Sequence, residues 1–348
     1  MAIKITSWNI EHAERLIGPN LSSSDLDRRS RVRETIHGID PDILCMIEGP
    51  KGEQSIKDFA KDVLEDKWVP ILLQQPGDSL GSRDKEYKIS GTQWIWFIVR
   101  SSLINKCRLQ APSVWQSFTG YKQWKVHYWG QERADNHDHY RHPQVLVVEI
   151  GHGHELELIG VHLKSKINKK KILRDNDGNL VGAYVDEAMK ARIKLATEAA
   201  DIRKYIDAKF DQKPKPALIV LGDANDGPGR DLFENQYLFF DLVSNLEGDV
   251  MQAEKFFNHS LFDYPAHLRW SARYRDAVLR IPASQNPLLL DHIFMSQPLC
   301  HGTLPLVVNE GAGLVEHEVF ERVNAGARSS ELSSDHRPVS LMLTDITS

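Results

Sequence analysis

The chain has 348 residues, a length that permits one large domain or two ordinary ones. Its composition, 41% hydrophobic and 26% charged, is that of an ordinary globular protein and excludes a disordered or collagen-like chain. The net charge of -5 excludes a global positive field that would draw the protein onto nucleic acid, so any contact with a polyanion has to be local.

The cysteines and the N-terminal residues predict a cytoplasmic protein. Cys45, Cys107 and Cys300 are few and odd in number, which argues against a disulfide framework. Cys45 and Cys107 are predicted to be small buried hydrophobic residues. The opening sequence MAIKITSWNIEH has no apolar signal region, and no later segment is long and apolar enough to cross a bilayer. We therefore expect no membrane partner.

Short apolar runs that end in polar or glycine-containing turns predict β-strands. In chain order these runs cover residues 3–10, 43–47, 94–99, 145–150, 156–163, 217–221, 289–295 and 339–343. Helical spacing of Ala, Ile and Leu predicts a long helix over 186–210, and weaker patterns predict helices over 26–36 and 55–64. The order of elements is that of an α/β protein, too irregular for clean βαβ repeats.

Polar side chains that can bind metal or phosphate stand at the ends of these predicted strands. They are Asn9, Glu11, Glu48, His162, Asp223, Asn225, Asp291, Asp335 and His336. Each of them alone has an ordinary explanation as a turn cap or a structural residue. Together they repeat one arrangement along almost the whole chain, and open sheets place ligand sites at such edges.

The sequence resembles the endonuclease/exonuclease/phosphatase superfamily. The resemblance lies in SWNIEH, DILCMIEGP, YRHPQVLVVEI, GVHLKSK, LGDANDGPG, LDHIFMS and SSDHRPVSL, which follow one another in family order. It implies an α/β fold, a four-layer sandwich of two mixed β-sheets packed face to face with helices on both outer sides. It makes residues 1–348 a single domain, with loop insertions around 115–142, 165–185 and 245–285.

The resemblance also implies a divalent-metal hydrolase that acts on phosphate esters, with Mg²⁺ as the cofactor and Mn²⁺ as a substitute. Glu48 matches the family's metal-binding glutamate. Asn9 and Asp335 would complete or position the metal shell, and Glu11 falls where the abasic-site enzymes have an acid. The family commonly shows Gln-Glu-Val where this sequence has MIEGP, so the backbone after Glu48 departs from the pattern.

Five further residues match the family's catalytic groups. Adjacent residues on an extended chain point to opposite faces, so the residue before His336 is not expected to orient its imidazole. The resemblance gives that role to Asp291, which would keep His336 protonated. Asp223 would orient or deprotonate the attacking water, and Asn225 would bind a phosphate oxygen. His162 would be the second phosphate-facing imidazole or a general acid, and it stands where abasic-site enzymes typically have Tyr.

The segment RWSARYRDAVLRI, residues 269–281, interleaves basic and aromatic side chains as a strand-binding loop does. The candidate substrate-binding residues are Arg269, Trp270, Arg273, Tyr274, Arg275 and also Lys164, which begins the basic run 164–171. The alternatives are a surface loop whose aromatics cap the core for the first segment, and a solvated loop for the basic run.

Four histidines in the segment 115–142 raise the question of a zinc site. His127, His137, His139 and His142 fit no closed structural pattern and have no cysteine pair nearby, so we expect a solvated, partly aromatic loop.

The function favoured by these patterns is a DNA or RNA nuclease, with nucleic acid as the substrate partner. The alternatives are a phosphomonoesterase, or a headgroup phosphodiesterase that acts on a soluble metabolite or a lipid. A non-catalytic binding protein on the same fold is disfavoured, because a binding module has no need for the complete polar set. No obligate protein partner is evident, and the sequence leaves the oligomeric state undetermined.

Overall fold

Two six-stranded β-sheets form the centre of the computed structural model, which describes residues 2–73, 83–118, 125–229, 231–237 and 241–346. Their strands, labelled in chain order, are β1 (Ala2–Asn9), β2 (Ile43–Gly49), β3 (Trp68–Pro70), β4 (Trp94–Arg100), β5 (Cys107–Leu109), β6 (Gln144–Glu149), β7 (Glu155–His162), β8 (Ala217–Asp223), β9 (Phe257–His259), β10 (Asp291–Ser296), β11 (Leu306–Val315) and β12 (Val339–Asp345).

Both sheets have a central parallel pair flanked by antiparallel strands. The first sheet has the order β11-β12-β1-β2-β4-β3, and the second has the order β9-β10-β8-β7-β6-β5. The pairs β1–β2 and β7–β8 are parallel, and the other neighbours in both sheets are antiparallel. Because parallel strands end at the same edge of a sheet, the last residues of each central pair lie side by side.

Helices cover the outer face of each sheet. They are α1 (Ser23–Ile39), α2 (Glu53–Leu64), α3 (Ala183–Gln212), α4 (Leu232–Tyr237), α5 (Leu242–Glu247), α6 (Gln297–Cys300) and α7 (His317–Val323). Along β2, Cys45 faces the second sheet, whereas Leu44 and Met46 face α1 and α2. The outer face of the second sheet packs on α3. This order of layers confirms the predicted four-layer sandwich.

The two sheets approach each other closely at Gly160 in β7. A side chain there would place its Cβ 3.0 Å from Cys45 Sγ and 3.1 Å from a ring carbon of Phe97. Glycine therefore permits the central strands of the two sheets to come together, and that approach brings their carboxyl ends to one shared region of the surface.

All eight predicted strands and all three predicted helices occur, with shifted ends. The largest extension is in α1, which begins three residues earlier than predicted and ends three residues later. Strands β3, β5, β9 and β11 and the helices outside the predicted three were missed. Cys45 is buried as predicted, but Cys107 is only partly buried, because it lies in the edge strand β5.

Three short two-stranded pairs lie in the connections, one in each predicted insertion. They join Lys125–Val126 to Asp135–Asn136, Leu173–Arg174 to Leu180–Val181, and Ala272–Arg273 to Pro287–Leu288. Among the described residues, the longest helix is too polar to cross a bilayer and the others are too polar or too short.

Candidate active site

Four polar residues at the ends of the central strands meet at the junction of the two sheets. Asn9 ends β1 and Glu48 lies at the end of β2, while His162 and Asp223 end β7 and β8 and are paired in register. Asn9 joins the two pairs, because its amide nitrogen donates to Asp223 Oδ2 at 3.0 Å and lies 3.5 Å from Glu48 Oε1. The structure therefore brings together residues that stand up to 214 positions apart.

His336 is held by Asp291, the first residue of β10. Their Nδ1 and Oδ2 atoms are 2.6 Å apart, and both side chains are buried. Burial alone would lower the pKa of His336, but the charge and hydrogen bond of Asp291, with the charges of Asp223 and Asp335, raise it to about 10. The imidazole is therefore protonated at neutral pH and presents Nε2–H 4.0 Å from Asp223 Oδ2.

Asp223 lies between the two imidazoles. Its Oδ2 is 3.7 Å from His162 Nε2 and 4.0 Å from His336 Nε2. Burial raises the pKa of Asp223 to about 7, against the opposing effect of the His336 charge. Burial, together with the charges of Arg141 and His336, lowers the pKa of His162 well below its ordinary value. His162 is therefore neutral, whereas His336 is charged, so the two imidazoles differ chemically.

Three residues of the site adopt left-handed backbone conformations. Their φ angles are 52° at Glu11, 59° at Glu48 and 53° at Asn225. Each such residue costs about 1 kcal/mol relative to a relaxed backbone, and such costs cluster at functional sites. At Asn225 the backbone N–H donates to Asp223 Oδ1 at 2.8 Å, and the side-chain amide donates to Leu163 O. The turn after β8 therefore fixes the orientation of the Asp223 carboxylate.

The carboxylates of Glu48 and Asp335 lie near enough to Glu11 for their charges to act on its carboxyl group. Burial raises the pKa of Glu11, and the negative charges of Asp335 and Glu48 raise it further, although Arg28 opposes them. Mg²⁺ prefers carboxylate oxygens as its protein ligands. The Asn9 amide oxygen accepts from the Glu11 N–H at 3.0 Å, which makes Asn9 an orienting residue for these acids.

Asp223, Asp291 and His336 have ligand atoms that lie within 4.8 Å of one another, close enough to surround an ion. A protonated imidazole has no lone pair to offer a metal. The raised pKa of His336 therefore favours the carboxylates of Glu11, Glu48 and Asp335 as the metal-binding side of the site.

Tyr274 reaches into this site from the connection between β9 and β10. Its hydroxyl donates to Asp335 Oδ2 at 2.7 Å and lies 2.8 Å from His336 Nε2. Ala272 forms a β-bridge with His336, so the segment 269–276 lies directly against this histidine. The sequence predicted Tyr274 as a substrate-binding residue, and the structure places it within the hydrogen-bond network of the site.

The other residues of the aromatic and basic segment lie at the rim. The Trp270 ring packs between the guanidinium groups of Arg273 and Arg337, which are 4.0 and 4.1 Å from it. Arg273 and Arg275 are exposed. Arg269 instead donates to the carbonyl oxygens of Phe262 and Tyr264, and this holds the loop together.

The basic run 164–171 is only partly the solvated loop that was predicted. Lys166 enters an internal ion network, with its Nζ 2.5 Å from Asp226 and 3.2 Å from Asp231. The Lys164 side chain is half-buried and donates to the Ser165 carbonyl oxygen. Only the later lysines of the run are exposed. Lys166 leaves the solvent because it pairs with Asp226 after β8 and with Asp231 and Glu234 at α4, contacts that the sequence pattern did not reveal.

The prediction of a solvated histidine loop is wrong for three of the four histidines. His127 is exposed, but His137, His139 and His142 are 0%, 4% and 1% exposed. The rings of His137 and His139 both contact Asp201 of α3. Burial raises the pKa of Asp201, but the hydrogen bonds from these two histidines lower it to about 2. This segment therefore packs on α3 through a buried charged cluster.

The residues that hold the Glu48 side chain in place were not predicted from the sequence. Gln93 donates to Glu48 Oε2 at 2.5 Å, and its own carbonyl oxygen accepts from Arg141. Arg141 lies in YRHPQVLVVEI, one of the motifs in which the family resemblance lies. No sequence pattern marks a glutamine that precedes an aromatic strand, so the contact of Gln93 with Glu48 can be recognised only once β4 is known to pair with β2.

Comparison with protein-family models gives no match, and comparison with curated proteins also gives none. Among solved structures, truncated TDP2 from Caenorhabditis elegans matches 98% of this chain and 97% of its own, with a TM-score of 0.52 and 14% identity. An endonuclease/exonuclease/phosphatase from Bacteroides vulgatus matches 99% of both chains, with a TM-score of 0.50 and 13% identity. The chain has the endonuclease/exonuclease/phosphatase superfamily fold.

Proposed function

We propose that the protein is a Mg²⁺-dependent phosphodiesterase that cleaves DNA or RNA. The observation that carries the proposal is the charged imidazole of His336, which is held 2.6 Å from Asp291 and faces the buried Asp223. Three further acids, Glu11, Glu48 and Asp335, lie beside this pair. The fold it shares with a protein named endonuclease/exonuclease/phosphatase supports hydrolysis of phosphate esters as the reaction class.

The residues on the two sides of the site have different roles in hydrolysis: the carboxylates on one side would bind the metal, and Asp223 and the two imidazoles on the other act on water and phosphate. Glu48, Glu11 and Asp335 would hold Mg²⁺, which supplies positive charge to the phosphate when bound. Asp223 accepts a proton from the attacking water, for which a pKa of about 7 is well matched. The protonated His336 and the neutral His162 donate hydrogen bonds to the phosphate oxygens, where negative charge develops.

Recognition of a polynucleotide is supported by the rim beside His336. Exposed Arg273 and Arg275 offer charge to backbone phosphates, and the Trp270 ring beside them offers a stacking surface. The segment reaches His336 through the Tyr274 hydroxyl, so a strand bound at the rim would lead into the site. The half-buried Lys164 follows His162 and would contact the strand on the opposite side.

The test is hydrolysis of single-stranded DNA, double-stranded DNA, RNA and a panel of phosphomonoesters, with Mg²⁺, Mn²⁺ or chelator. The matched controls are Asp223→Asn, which removes the proposed base, and Asp211→Asn, which changes an exposed aspartate on α3. Polynucleotide cleavage that disappears with chelator and in Asp223→Asn, but persists in Asp211→Asn, supports the proposal. Phosphate release from a small substrate, with no polynucleotide cleaved, would identify a phosphomonoesterase instead.

A further inference from the structure

His137, His139 and Asp201 form a buried cluster outside the proposed active site. The Nε2 atoms of His137 and His139 each lie 3.1 Å from the same oxygen, Asp201 Oδ2. All three ligand atoms lie within 4.8 Å of one another, and the three side chains are 0%, 1% and 0% exposed. The cluster is therefore compact and shielded from solvent.

The local sequence HDHY explains how two imidazoles reach one carboxylate. His137 and His139 are separated by two positions on an extended segment, so their side chains point to the same face. Both are buried, whereas Asp138 and Tyr140 between and after them are exposed. The buried face lies on α3, which contributes the buried Asp201.

The two distances from the histidine Nε2 atoms to Asp201 Oδ2 match the coordination shell of a transition metal. Ligand atoms bound tetrahedrally at about 2.0 Å are about 3.3 Å apart, close to the observed separations of 3.1 Å. Two imidazoles and a carboxylate are ligands that Zn²⁺ and similar ions prefer. Lys204 Nζ lies 3.4 Å from Asp201 Oδ1, which leaves Oδ2 as the oxygen that faces the histidines.

A third buried histidine, His142, lies beside the cluster and indicates independently that a polar group there lacks a partner in the described part of the chain. His142 Nδ1 donates to the Pro143 carbonyl oxygen at 2.9 Å, so its Nε2 carries a lone pair. That Nε2 is buried and has no hydrogen-bond partner among the residues that the structure describes. The ring lies beside His139, with centroids 6.1 Å apart. His142 is not in the set of ligand atoms that lie within 4.8 Å of one another, so it is an unsatisfied buried acceptor beside the cluster rather than a fourth ligand.

We propose that His137, His139 and Asp201 bind a transition-metal ion of the Zn²⁺ type that fastens the segment before β6 to α3. Arg141, two residues after His139, donates to Gln93, which donates in turn to Glu48. The ion thus anchors the segment that supports the proposed active site. The proposal does not rest on the proposed function, because metal binding is measured without any substrate.

The experiment loads the purified full chain with Zn²⁺, removes free metal and measures zinc by elemental analysis. Native protein is expected to retain one Zn²⁺ per chain, and His139→Gln and Asp201→Asn to lose it. His127→Gln, in the same segment but exposed, should retain the ion, and so should Glu48→Gln, which alters only the proposed active site. Folded native protein without zinc, or equal zinc in native protein and Asp201→Asn, would overturn the proposal.

A spectroscopic measurement on native protein covers the case in which the variants do not fold. Co²⁺ in place of Zn²⁺ should produce the visible absorption of a tetrahedral, nitrogen-ligated site, which added Zn²⁺ then displaces. Chelator should also lower the melting temperature of native protein by several degrees, because the ion binds only the folded state. A featureless Co²⁺ spectrum with an unchanged melting temperature would leave a purely hydrogen-bonded cluster and refute the metal site.

Discussion

Replacing Asp291 with asparagine should move the alkaline limit of activity to much lower pH. The Asp291 carboxylate, 2.6 Å from His336 Nδ1, is the main group that raises the pKa of this buried imidazole to about 10. Asparagine supplies no charge, and burial then brings the pKa to its ordinary value of 6.5 or below. The limit of activity on the alkaline side therefore shifts by about 3 pH units.

The loss at a fixed pH follows from the protonated fraction of His336. At about pH 7.5 this fraction falls from nearly all molecules to about one in ten, so kcat/KM should fall about tenfold there. Raising the pH through the folded pKa removes the charged form, and the variant reaches that point earlier. The acid limb is set by Asp223, whose pKa is raised by the Asp291 charge and lowered by the His336 charge, so the loss of these two charges acts on that limb in opposite directions.

The measurement is the pH profile of Mg²⁺-dependent hydrolysis for native protein, Asp291→Asn and the exposed control Asp211→Asn. A nitrogen NMR titration of His336 reports the same pKa without substrate. The reasoning fails if Asp291→Asn keeps the alkaline limb of native protein, or if it loses activity by the same factor at every pH.

Three further outcomes are expected. Asp223→Asn should lower turnover about a thousandfold with an unchanged circular dichroism spectrum, and near-normal hydrolysis would remove it from the site. Gly222→Ala should lower the free energy of unfolding by about 3 kcal/mol in urea titrations, because φ is +143° and the Cβ would lie 1.9 Å from a carbonyl oxygen. Gly153→Ala, in open space, should cost about 1 kcal/mol, and equal losses would contradict this account. Arg273→Ala with Arg275→Ala should weaken nucleic-acid binding mostly at low salt and reduce the salt slope by about 2, whereas an unchanged slope would exclude these contacts.

The fold was predictable because the two sheets are buried on both faces. Strands such as β2 and β8 then become unbroken apolar runs, which are easy to locate in the sequence. Strand β11 contains a bulge between Val308 and Gly313 and is half exposed, so its run of residues resembles a loop. Its place in the sheet depends on pairing with β12, which no local pattern encodes.

The candidate site was predictable only where chemistry coincides with strand ends. Asp223 and Glu48 follow apolar runs, and that position was the signal. Tyr274 lies on a connection and was predicted only as a substrate-binding residue, because its hydrogen bond to His336 and the neighbouring β-bridge of Ala272 depend on the tertiary fold. The burial of His137 was likewise hidden, because its partner on α3 is 64 positions away.

Strand β12 lies between β1 and β11, and this position sets the order of events during synthesis. Thr6 in β1 and Ser340 in β12 share a hydrogen bond across 334 positions, so one edge of β1 stays unpaired until β12 has left the ribosome. Contacts of such range form slowly, and an open strand edge invites pairing with other chains. The segment that closes this edge also carries His336. Until β12 pairs with β1, the nascent chain therefore lacks the charged imidazole of His336. Under the proposed function, the chain would become able to hydrolyse its substrate at the same step that covers the open edge of β1 and prevents aggregation there.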